Sequence, residues 1–350
     1  MKQYCRINNI SISESNFEDS LVFLSSDSNC NTQLIDFLRE WFSDSTHITL
    51  KTSGSTGEPK NIILSKEIMI NSALTSIDFF SLKENQTALL PLSAQYIAGK
   101  MMIVRALMAH LDLLIIAPTS NPSIFLDKDF DFCVMVPMQL ETIILNGDIS
   151  KVNKIKKLLL GGGSINFNLE TQIKLLKTQC FLSYGMTETA SHVAIKTLNH
   201  DLQTDCFKAL NGTSFSVDER GCLIINSSTL SIKNLVTNDI VEIISPNSFI
   251  WKGRFDNVIN SGGIKLFPET IEKKIEPLFN NAFYLTKKKD TILGEALVLV
   301  VESDDANPNN NDILFSAIKK LVANYEVPKE IIYQKNFKRT QTEKIIRETF

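Results

Sequence analysis

Short apolar runs alternate with amphipathic segments over about the first 200 residues of this 350-residue chain. The apolar runs, such as residues 113–117 and 156–160, have the length of buried strands, and the segments between them have the length of helices. One helix is predicted over residues 66–82, with Ser65 as its N-cap. This alternation predicts an α/β fold with mostly parallel, layered sheets, in which ligand-binding loops follow the carboxyl ends of strands.

The pattern changes twice towards the C-terminus. After about residue 200 the apolar runs become shorter and are separated by tight turns, which indicates a β-rich subdomain. After Gly253 the composition changes again, and the remaining residues are typical of a small α+β unit. We therefore predict a large N-terminal domain over residues 1–255 and a small C-terminal domain over residues 256–350.

Composition narrows the class of protein. Hydrophobic residues make up 43% of the chain, charged residues 21%, and the net charge is −3, so an ordinary soluble globular protein is expected, with no nucleic acid as partner. The six cysteines are scattered without a CxxC pair, which argues against a zinc site or a disulfide framework. No signal peptide and no apolar run of membrane-spanning length is visible. We expect a cytoplasmic protein that is not inserted in a membrane.

Residues 51–60, KTSGSTGEPK, form the most informative segment of the chain. Glycines allow a backbone to approach an anion closely, and consecutive backbone N–H groups with nearby hydroxyls can surround a phosphate. The spacing of the two glycines differs from that of the Walker loop, and a flexible surface loop is the alternative interpretation. The predicted polyphosphate-binding residues are Thr52, Ser53, Gly54, Ser55, Thr56, Gly57 and Lys60.

Further candidate residues follow predicted strands or turns. In residues 184–188, YGMTE, Tyr184 could stack on a purine and Glu188 could hold Mg²⁺ between its carboxylate and substrate phosphates. Asp239 could accept hydrogen bonds from a diol. Taken singly these signals are weak, because Tyr184 could equally be a core aromatic and Asp239 a turn residue.

Together and in this order, these segments resemble the adenylate-forming superfamily of acyl-CoA synthetases, luciferases and peptide-synthetase adenylation domains. The resemblance extends over roughly residues 48–347, and its most specific parts are the Ser/Thr/Gly loop and residues 253–272, GRFDNVINSGGIKLFPETIE. Residues 184–192, YGMTETASH, and the segment that follows Pro91 are most similar to the o-succinylbenzoate–CoA ligases of menaquinone synthesis.

The resemblance implies a ligase that acts in two half-reactions. A carboxylate first attacks the α-phosphate of MgATP to give an acyl-adenylate and pyrophosphate, and the thiol of coenzyme A then displaces AMP. The expected partners are therefore small molecules, namely ATP, coenzyme A and an aryl dicarboxylate, with Mg²⁺ as the metal. The sequence leaves open whether the protein forms a homodimer, because no residue pattern indicates the oligomeric state.

The resemblance also implies a role for each matching residue. The residues 52–60 loop would hold the β- and γ-phosphates, Thr187 would contact the α-phosphate, and Glu188 would bind Mg²⁺. Lys344 would bridge the α-phosphate and the attacking carboxylate, which makes Lys344, Thr187 and Glu188 the expected catalytic residues. The adenine pocket would be lined by Gly161, Gly162, Gly163, Tyr184 and Gly185.

Asp239 and Arg254 would bind the ribose hydroxyls. Asp256 matches the hinge about which the small domain rotates in the family, and this rotation would withdraw the catalytic lysine and bring Gly262 and Gly263 towards the pantetheine chain.

The sequence also offers candidates for binding the second, non-reacting carboxylate of a dicarboxylic acid substrate. Arg105 on a predicted helix fits best, because a guanidinium can grip a carboxylate with two hydrogen bonds. Lys100, Ser191 and His192 are further candidates, while a surface salt bridge for Arg105 and a packed histidine at 192 are the alternatives.

Two positions depart from the family pattern. Asn238 stands where glycine usually precedes the ribose-binding aspartate, and asparagine tolerates the left-handed conformation. Glu343 stands where glycine usually precedes the catalytic lysine, so Lys335 and Lys338 remain alternatives to Lys344.

Three rival functions remain. The same fold could act on another aryl or short-chain acid, or the chain could be a weakly catalytic relative that only binds a nucleotide or an acyl-adenylate. A phosphotransferase is the third rival, and it would produce ADP where a ligase of this family produces AMP.

Overall fold

The structure is a computed structural model. It describes residues 2–51, 61–200, 203–303, 311–339 and 345–350.

The described strands are β1 (Tyr4–Ile7), β2 (Ile10–Ser13), β3 (His47–Lys51), β4 (Asn61–Ser65), β5 (Thr87–Leu90), β6 (Asp112–Ile115), β7 (Phe130–Met135), β8 (Ile155–Leu160), β9 (Gln179–Gly185), β10 (His192–Thr197), β11 (Phe207–Ala209), β12 (Thr213–Val217), β13 (Cys222–Ser227), β14 (Ile232–Ser245), β15 (Ser248–Arg254), β16 (Ile259–Ser261), β17 (Ile264–Leu266), β18 (Phe283–Asp290), β19 (Gly294–Glu302) and β20 (Glu330–Gln334). The described α-helices are α1 (Phe17–Ser25), α2 (Thr32–Phe42), α3 (Lys66–Phe80), α4 (Ile97–Ala109), α5 (Pro137–Leu145), α6 (Ile149–Val152), α7 (Phe167–Ile173), α8 (Pro268–Ile275) and α9 (Asn311–Ile318).

One large sheet of thirteen of the described strands has the order β12-β13-β14-β15-β11-β10-β9-β8-β7-β5-β6-β1-β2. Its central strands β6, β5, β7, β8 and β9 are parallel neighbours, and helices connect them. Most of the apolar side chains in these strands are buried, as expected of a sheet covered on both faces. The α/β class predicted from the strand–helix alternation is confirmed.

The β-rich segment continues the same sheet. β10 pairs antiparallel with β9, and β11, β15, β14, β13 and β12 follow as antiparallel neighbours. The sequence pattern predicts β13, β14 and β15 but neither the other strands of this segment nor the continuation of the sheet, because alternation along a strand does not identify the strand that pairs with it. The result is that the end of β9 lies between the parallel and antiparallel halves.

Helices α3 and α4 pack against each other and against the sheet. Ser65 caps α3 by accepting a hydrogen bond from the backbone N–H of Ile68 at 3.2 Å, as predicted. Helix α4 is buried along nearly its whole length, from Gly99 to Ala109. A polar side chain on α4 therefore points into the protein rather than into solvent.

A second sheet has the order β17-β16-β19-β18, with β20 beside β19. Its core includes Ile259, Ile271 and Leu285. The C-terminal residues are held to it by Arg347, which donates to both carboxylate oxygens of Glu272 on α8 and, at 2.9 Å, to the backbone oxygen of Leu285. Burial raises the pKa of Glu272, and the guanidinium opposes this rise.

Two polar contacts join this second unit to α7. Lys273 on α8 forms an ion pair of 2.7 Å with Glu170. The carboxylate of Glu276 accepts a hydrogen bond of 2.8 Å from the backbone N–H of Phe167, at the start of α7. Among the described residues, no helix is long and apolar enough to cross a membrane.

Candidate active site

The segment after β8 needs its first glycine. A Cβ at Gly161 would lie 2.6 Å from Oγ of Ser183 at the end of β9. That hydroxyl donates to the backbone oxygen of Leu160 at 2.9 Å, which holds the ends of β8 and β9 together. Gly162 has a φ of +79°, and both Gly162 and Gly163 are exposed. The predicted adenine-binding glycines therefore lie at the carboxyl edge of the parallel strands, where the sequence placed them.

The segment from Gly185 to His192 folds back tightly between β9 and β10. A Cβ at Gly185 would lie 2.2 Å from the backbone oxygen of Ser191, so no other residue fits there without movement. Thr189 closes the turn, because its hydroxyl oxygen accepts from the backbone N–H of Met186 at 3.0 Å. The 3₁₀ helix Thr187–Thr189 lies at the tip of this turn.

The two predicted catalytic residues in this turn are thus held by a well-packed backbone. Thr187 is half-buried and Glu188 is exposed. The carboxylate of Glu188 has no hydrogen-bond or ion-pair partner in the part of the chain that the structure describes.

A polar cluster forms where β9, β14 and β15 meet. Asp239 is buried, and its Oδ2 accepts from the hydroxyl of Tyr184 at 2.7 Å. Its Oδ1 accepts from Nε1 of Trp251 at 3.1 Å and lies 3.7 Å from Nη1 of Arg254. Burial and the neighbouring carboxylate raise the pKa of Tyr184, so the phenol stays protonated and donates. The structure brings three of the predicted nucleotide-binding side chains together.

The ring of Tyr184 is also part of a hydrophobic cluster. It packs edge-on against Phe249, with ring centroids 5.1 Å apart, and lies 5.7 Å from Phe207. Tyr184 belongs to β9 itself, whereas the sequence placed it in the loop after the strand. Tyr184 therefore packs in the hydrophobic core and also lies close to the carboxyl end of β9.

The connection between the two sheets is a single turn of 3₁₀ helix, Phe255–Asn257, after β15. Asp256 in this turn accepts a short hydrogen bond from Nδ2 of Asn238 and lies 3.9 Å from Nη2 of Arg254. Asn238, which departs from the family pattern, therefore contacts the predicted hinge residue.

Gly262 and Gly263 form the tight turn between β16 and β17. Both have positive φ angles, +57° and +84°, and both are exposed. Such a two-residue turn joins antiparallel strands with their natural twist only when both residues adopt positive φ. The pair therefore has a structural role besides the one that the resemblance implies.

Arg105 is the most deeply buried charged residue of the candidate site, with 2% of its surface exposed. Its Nε donates to Oγ of Ser76 on α3 at 2.9 Å, and its Nη2 donates to Oγ of Ser191 at 2.5 Å. The same Nη2 lies 3.4 Å from Nδ1 of His192. Burial lowers the pKa of Arg105 to about 10.

All the partners of Arg105 among the described residues are neutral groups. Burial and the charge of Arg105 lower the pKa of His192 well below its usual value, so the imidazole is uncharged. No described carboxylate forms an ion pair with the guanidinium. A buried charge normally has a counter-ion, so this position is suited to an anion from outside the chain.

Lys100 lies elsewhere. Its ammonium is 4.4 Å from the centroid of the Phe37 ring on α2, and burial lowers its pKa while Glu40 and Asp36 oppose the change. Five residues separate it from Arg105 on α4, so the two side chains leave the helix in different directions. The structure brings Arg105, Ser191 and His192 together but does not bring Lys100 to them.

Sequence reasoning missed two polar side chains of the site, Ser76 and Trp251. Ser76 could have been noticed, because Ser72 and Ser76 lie four residues apart on the otherwise apolar buried face of α3. Trp251 gave no signal of its own, since an indole in a β-rich segment is usually a core residue.

Other predicted site residues lie outside the described residues. These are Thr52, Ser53, Gly54, Ser55, Thr56, Gly57, Lys60 and Lys344. Within the described part of the chain, no three or more histidine, cysteine, aspartate or glutamate side chains are grouped so that they could hold a metal ion.

Comparisons with known proteins agree with this arrangement. Residues 31–222 match the model of the family described as AMP-binding enzyme. A crystal structure of an acyl-CoA synthetase (AMP-forming)/AMP-acid ligase II-like protein from Dyadobacter fermentans is 39% identical, covers 93% of this chain and 95% of its own, and has a TM-score of 0.62.

The curated 2-succinylbenzoate–CoA ligase of Haemophilus influenzae is 26% identical over 296 residues, which are 78% of this chain and 62% of that protein. The chain therefore spans less than two thirds of this relative's length. The o-succinylbenzoate CoA synthetase of Bacillus subtilis, solved with an acyl-adenylate, is 19% identical with a TM-score of 0.71 over 86% of this chain and 68% of its own. At that identity the likeness concerns the fold alone.

The family match covers more than half of the chain and coincides with the strand ends that carry the glycines, Tyr184 and Glu188. The chain belongs to the AMP-binding enzyme family.

Proposed function

We propose that this protein is an ATP-dependent acid–thiol ligase that adenylates o-succinylbenzoate and transfers the acyl group to coenzyme A, with release of AMP and pyrophosphate. The observation that carries the choice of substrate is the buried guanidinium of Arg105, whose described partners are all neutral. A dicarboxylic acid has one carboxylate for the reaction and one for this cation. The names of the curated relatives support the same substrate.

Arg105 recognises the unreacting carboxylate in this account. Its Nε donates to Ser76 and its Nη2 contacts Ser191 and His192, so Nη1, which has no partner among the described residues, is the group that meets the carboxylate. Charge-assisted hydrogen bonds made in a dry site are stronger than those in water. An acid without a second carboxylate would leave the buried charge without a counter-ion, which would discriminate against monocarboxylates.

The nucleotide lies along the carboxyl ends of β8 and β9 in this proposal. Gly161 to Gly163 allow close approach of the adenine, with Tyr184 beside it. Asp239 receives the ribose hydroxyls, and its two donors Tyr184 and Trp251 fix the orientation of the carboxylate. Arg254 lies 3.7 Å from this carboxylate and adds a positively charged donor at the same place.

Glu188 fits a site for Mg²⁺. This cation is usually bound by one or two carboxylates together with substrate phosphates, and an exposed carboxylate without a partner among the described residues matches that donor set. When bound, Mg²⁺ neutralises charge on the phosphate oxygens. Thr187 beside it donates to the α-phosphate, and the closed turn that Gly185 permits fixes both side chains before substrate binds.

The small C-terminal domain would alternate between two positions about Asp256. Lys344 would stabilise the charge that develops during adenylation, and a rotated domain would bring the Gly262-Gly263 turn to the thioester step. The contacts Lys273–Glu170 and Glu276–Phe167 would have to break during this rotation. Lys344→Ala should therefore abolish adenylate formation but leave thioester formation from supplied acyl-adenylate largely intact, and equal loss of both steps would contradict the division of roles.

Exchange of labelled pyrophosphate into ATP, measured with a panel of acids, tests the choice of substrate. The proposal predicts exchange with o-succinylbenzoate and much slower exchange with benzoate and short-chain monocarboxylates. If exchange is fastest with a monocarboxylate, the proposed adenylation chemistry stands but the proposed substrate is wrong. ATP binding without exchange for any acid would instead support a weakly catalytic nucleotide-binding relative, and ADP as the product would indicate a phosphotransferase.

A further inference from the structure

Two buried polar atoms without a partner among the described residues line the same cavity. They are Nε2 of His192 and Oγ of Ser72, whose residues are 7% and 3% exposed. The cavity has a volume of about 10 Å³, which is space for roughly one water molecule or one oxygen atom of a ligand, and it lies between α3 and the antiparallel strands that follow β9. Its other walls are Thr75, Val193, Leu210, Thr213, Thr229 and Leu230.

Two contacts at Nδ1 of His192 indicate which nitrogen of the ring carries the proton. A guanidinium can only donate hydrogen bonds, and Nη2 of Arg105 lies 3.4 Å from Nδ1. Oγ of Ser191 lies 3.1 Å from the same nitrogen, and because this oxygen already accepts from Arg105, its own proton is available to Nδ1. The lowered pKa of His192 means that the ring is neutral. Nδ1 is therefore the acceptor, and the remaining proton is on Nε2, which lines the cavity.

The threonine hydroxyls of the cavity already use their protons elsewhere. Thr75 donates to the backbone oxygen of Asn71 at 2.8 Å, and Thr213 donates to Oγ of Ser227 at 3.2 Å. They therefore offer lone pairs to the cavity, whereas His192 Nε2–H and the Ser72 hydroxyl offer free protons. An acceptor oxygen in this small cavity would satisfy both unpaired donors, His192 Nε2–H and the Ser72 hydroxyl.

We propose that His192 and Ser72 together bind one acceptor oxygen in this cavity, and that this oxygen locks His192 in the tautomer that accepts from Arg105. The oxygen comes from a bound water or from the acyl substrate. Ser72 and His192 are then positioning residues for Arg105, and the proposal rests on the function proposed for Arg105 above. If the ring flipped to the other tautomer, its Nδ1–H would oppose the guanidinium, and the carboxylate anchor would shift.

Nitrogen NMR of the imidazole rings tests the tautomer without any need for activity. The chain has four histidines, and the signals of His192 are identified by their loss in His192→Gln. We expect protonated Nε2 and unprotonated Nδ1 in the wild type, and a shifted or mixed tautomer in Ser72→Ala. Ser72→Thr keeps the hydroxyl and should keep the wild-type spectrum, and Ser20→Ala, at a buried serine of α1, is the matched control.

Steady-state kinetics supply the second measurement. Loss of one hydrogen bond to the bound oxygen should raise KM for o-succinylbenzoate about 3- to 10-fold in Ser72→Ala, with kcat and KM for ATP nearly unchanged. Protonated Nδ1 in the wild type, or a His192 spectrum that is the same in Ser72→Ala and the wild type both with and without o-succinylbenzoate, would overturn the proposal. A failure of the proposed substrate, by contrast, would change the kinetics but leave the predicted tautomer intact.

The same spectra identify the source of the oxygen. If the substrate supplies it, adding o-succinylbenzoate to the wild type shifts the Nε2 signal, and Ser72→Ala weakens that shift. If water supplies it, the Nε2 signal already has its hydrogen-bonded position in the free protein and changes little on addition. A wild-type spectrum that shows no hydrogen bond at Nε2 in either state would contradict both sources.

Discussion

Replacing Arg105 by methionine should separate substrate recognition from folding. Methionine keeps much of the volume of the side chain and removes the buried charge. Burial lowers the pKa of Arg105 from its ordinary value to about 10, which at about 1.4 kcal/mol per pKa unit corresponds to a cost of roughly 3 kcal/mol for keeping the charged form in the folded protein.

The pH dependence of this cost follows from the linkage between proton binding and folding. The folded protein binds the proton of Arg105 less tightly than the unfolded chain does, so the cost is fully present below pH 10 and disappears only as the pH rises towards the ordinary pKa of a guanidinium. Arg105→Met removes this cost but also removes hydrogen bonds to Ser76 and Ser191. We therefore expect the free energy of unfolding to stay unchanged or to rise by up to about 3 kcal/mol.

Arg105→Met should weaken binding of the acid substrate even though it does not destabilise the fold. Two charge-assisted hydrogen bonds to a carboxylate contribute about 1.5–3 kcal/mol each, so we expect KM for o-succinylbenzoate to rise by about 100-fold or more. KM for benzoate and for ATP should change little. The assay combines denaturant unfolding with pyrophosphate exchange for both acids.

Lys100→Met is the matched control, because it removes another buried cation from the same helix. Its ammonium packs on Phe37 rather than near Ser191, so we expect unchanged discrimination between the two acids and some loss of stability. Equal effects of Arg105→Met on both acids, or a loss of several kcal/mol in stability, would refute the reasoning and make Arg105 a structural residue.

Three further predictions concern other parts of the chain. Gly185→Ala would force a Cβ to within 2.2 Å of a backbone oxygen, so both the melting temperature and pyrophosphate exchange should fall sharply, and an active variant of normal stability would contradict the tight turn. Arg347→Met would leave the buried Glu272 unpaired and should cost about 3–5 kcal/mol in denaturant unfolding at neutral pH. Because the pKa of Glu272 is raised, this loss should shrink as the pH falls through that pKa, and a pH-independent loss would argue against the carboxylate as its cause. Tyr184→Phe should raise KM for ATP several-fold by releasing Asp239, with a stability loss of about 1 kcal/mol, whereas an unchanged KM for ATP would separate this tyrosine from the nucleotide site.

The sequence predicted those parts of the fold that depend on local pattern. The alternation of apolar runs with helical segments located β5 to β9 and the helices α4 and α5, but not α6 and α7, and the Ser65 cap located the start of α3 within a residue. The pairing of β10 with β9 was not predictable in the same way, because it depends on contacts between residues distant in the chain.

The candidate site was predictable where backbone geometry demands a residue type. Gly185 is required by a close approach of backbone atoms that only glycine allows, and the position of Gly161 and Gly185 at strand ends already suggested a ligand edge. The hydrogen bonds of Arg105 to Ser76, Ser191 and His192 could not be predicted, because the partners come from three separate elements. Lys100 was grouped with Arg105 by nearness in sequence, but helical geometry turns it towards α2.

The measurement that tests the central claim most directly is a product assay with purified protein, MgATP, coenzyme A and o-succinylbenzoate. AMP and the coenzyme A thioester are quantified together, with reactions lacking either the acid or coenzyme A as controls. The account predicts equal amounts of AMP and thioester, both dependent on the acid. ADP in place of AMP, or no AMP with any acid despite measurable ATP binding, would contradict it.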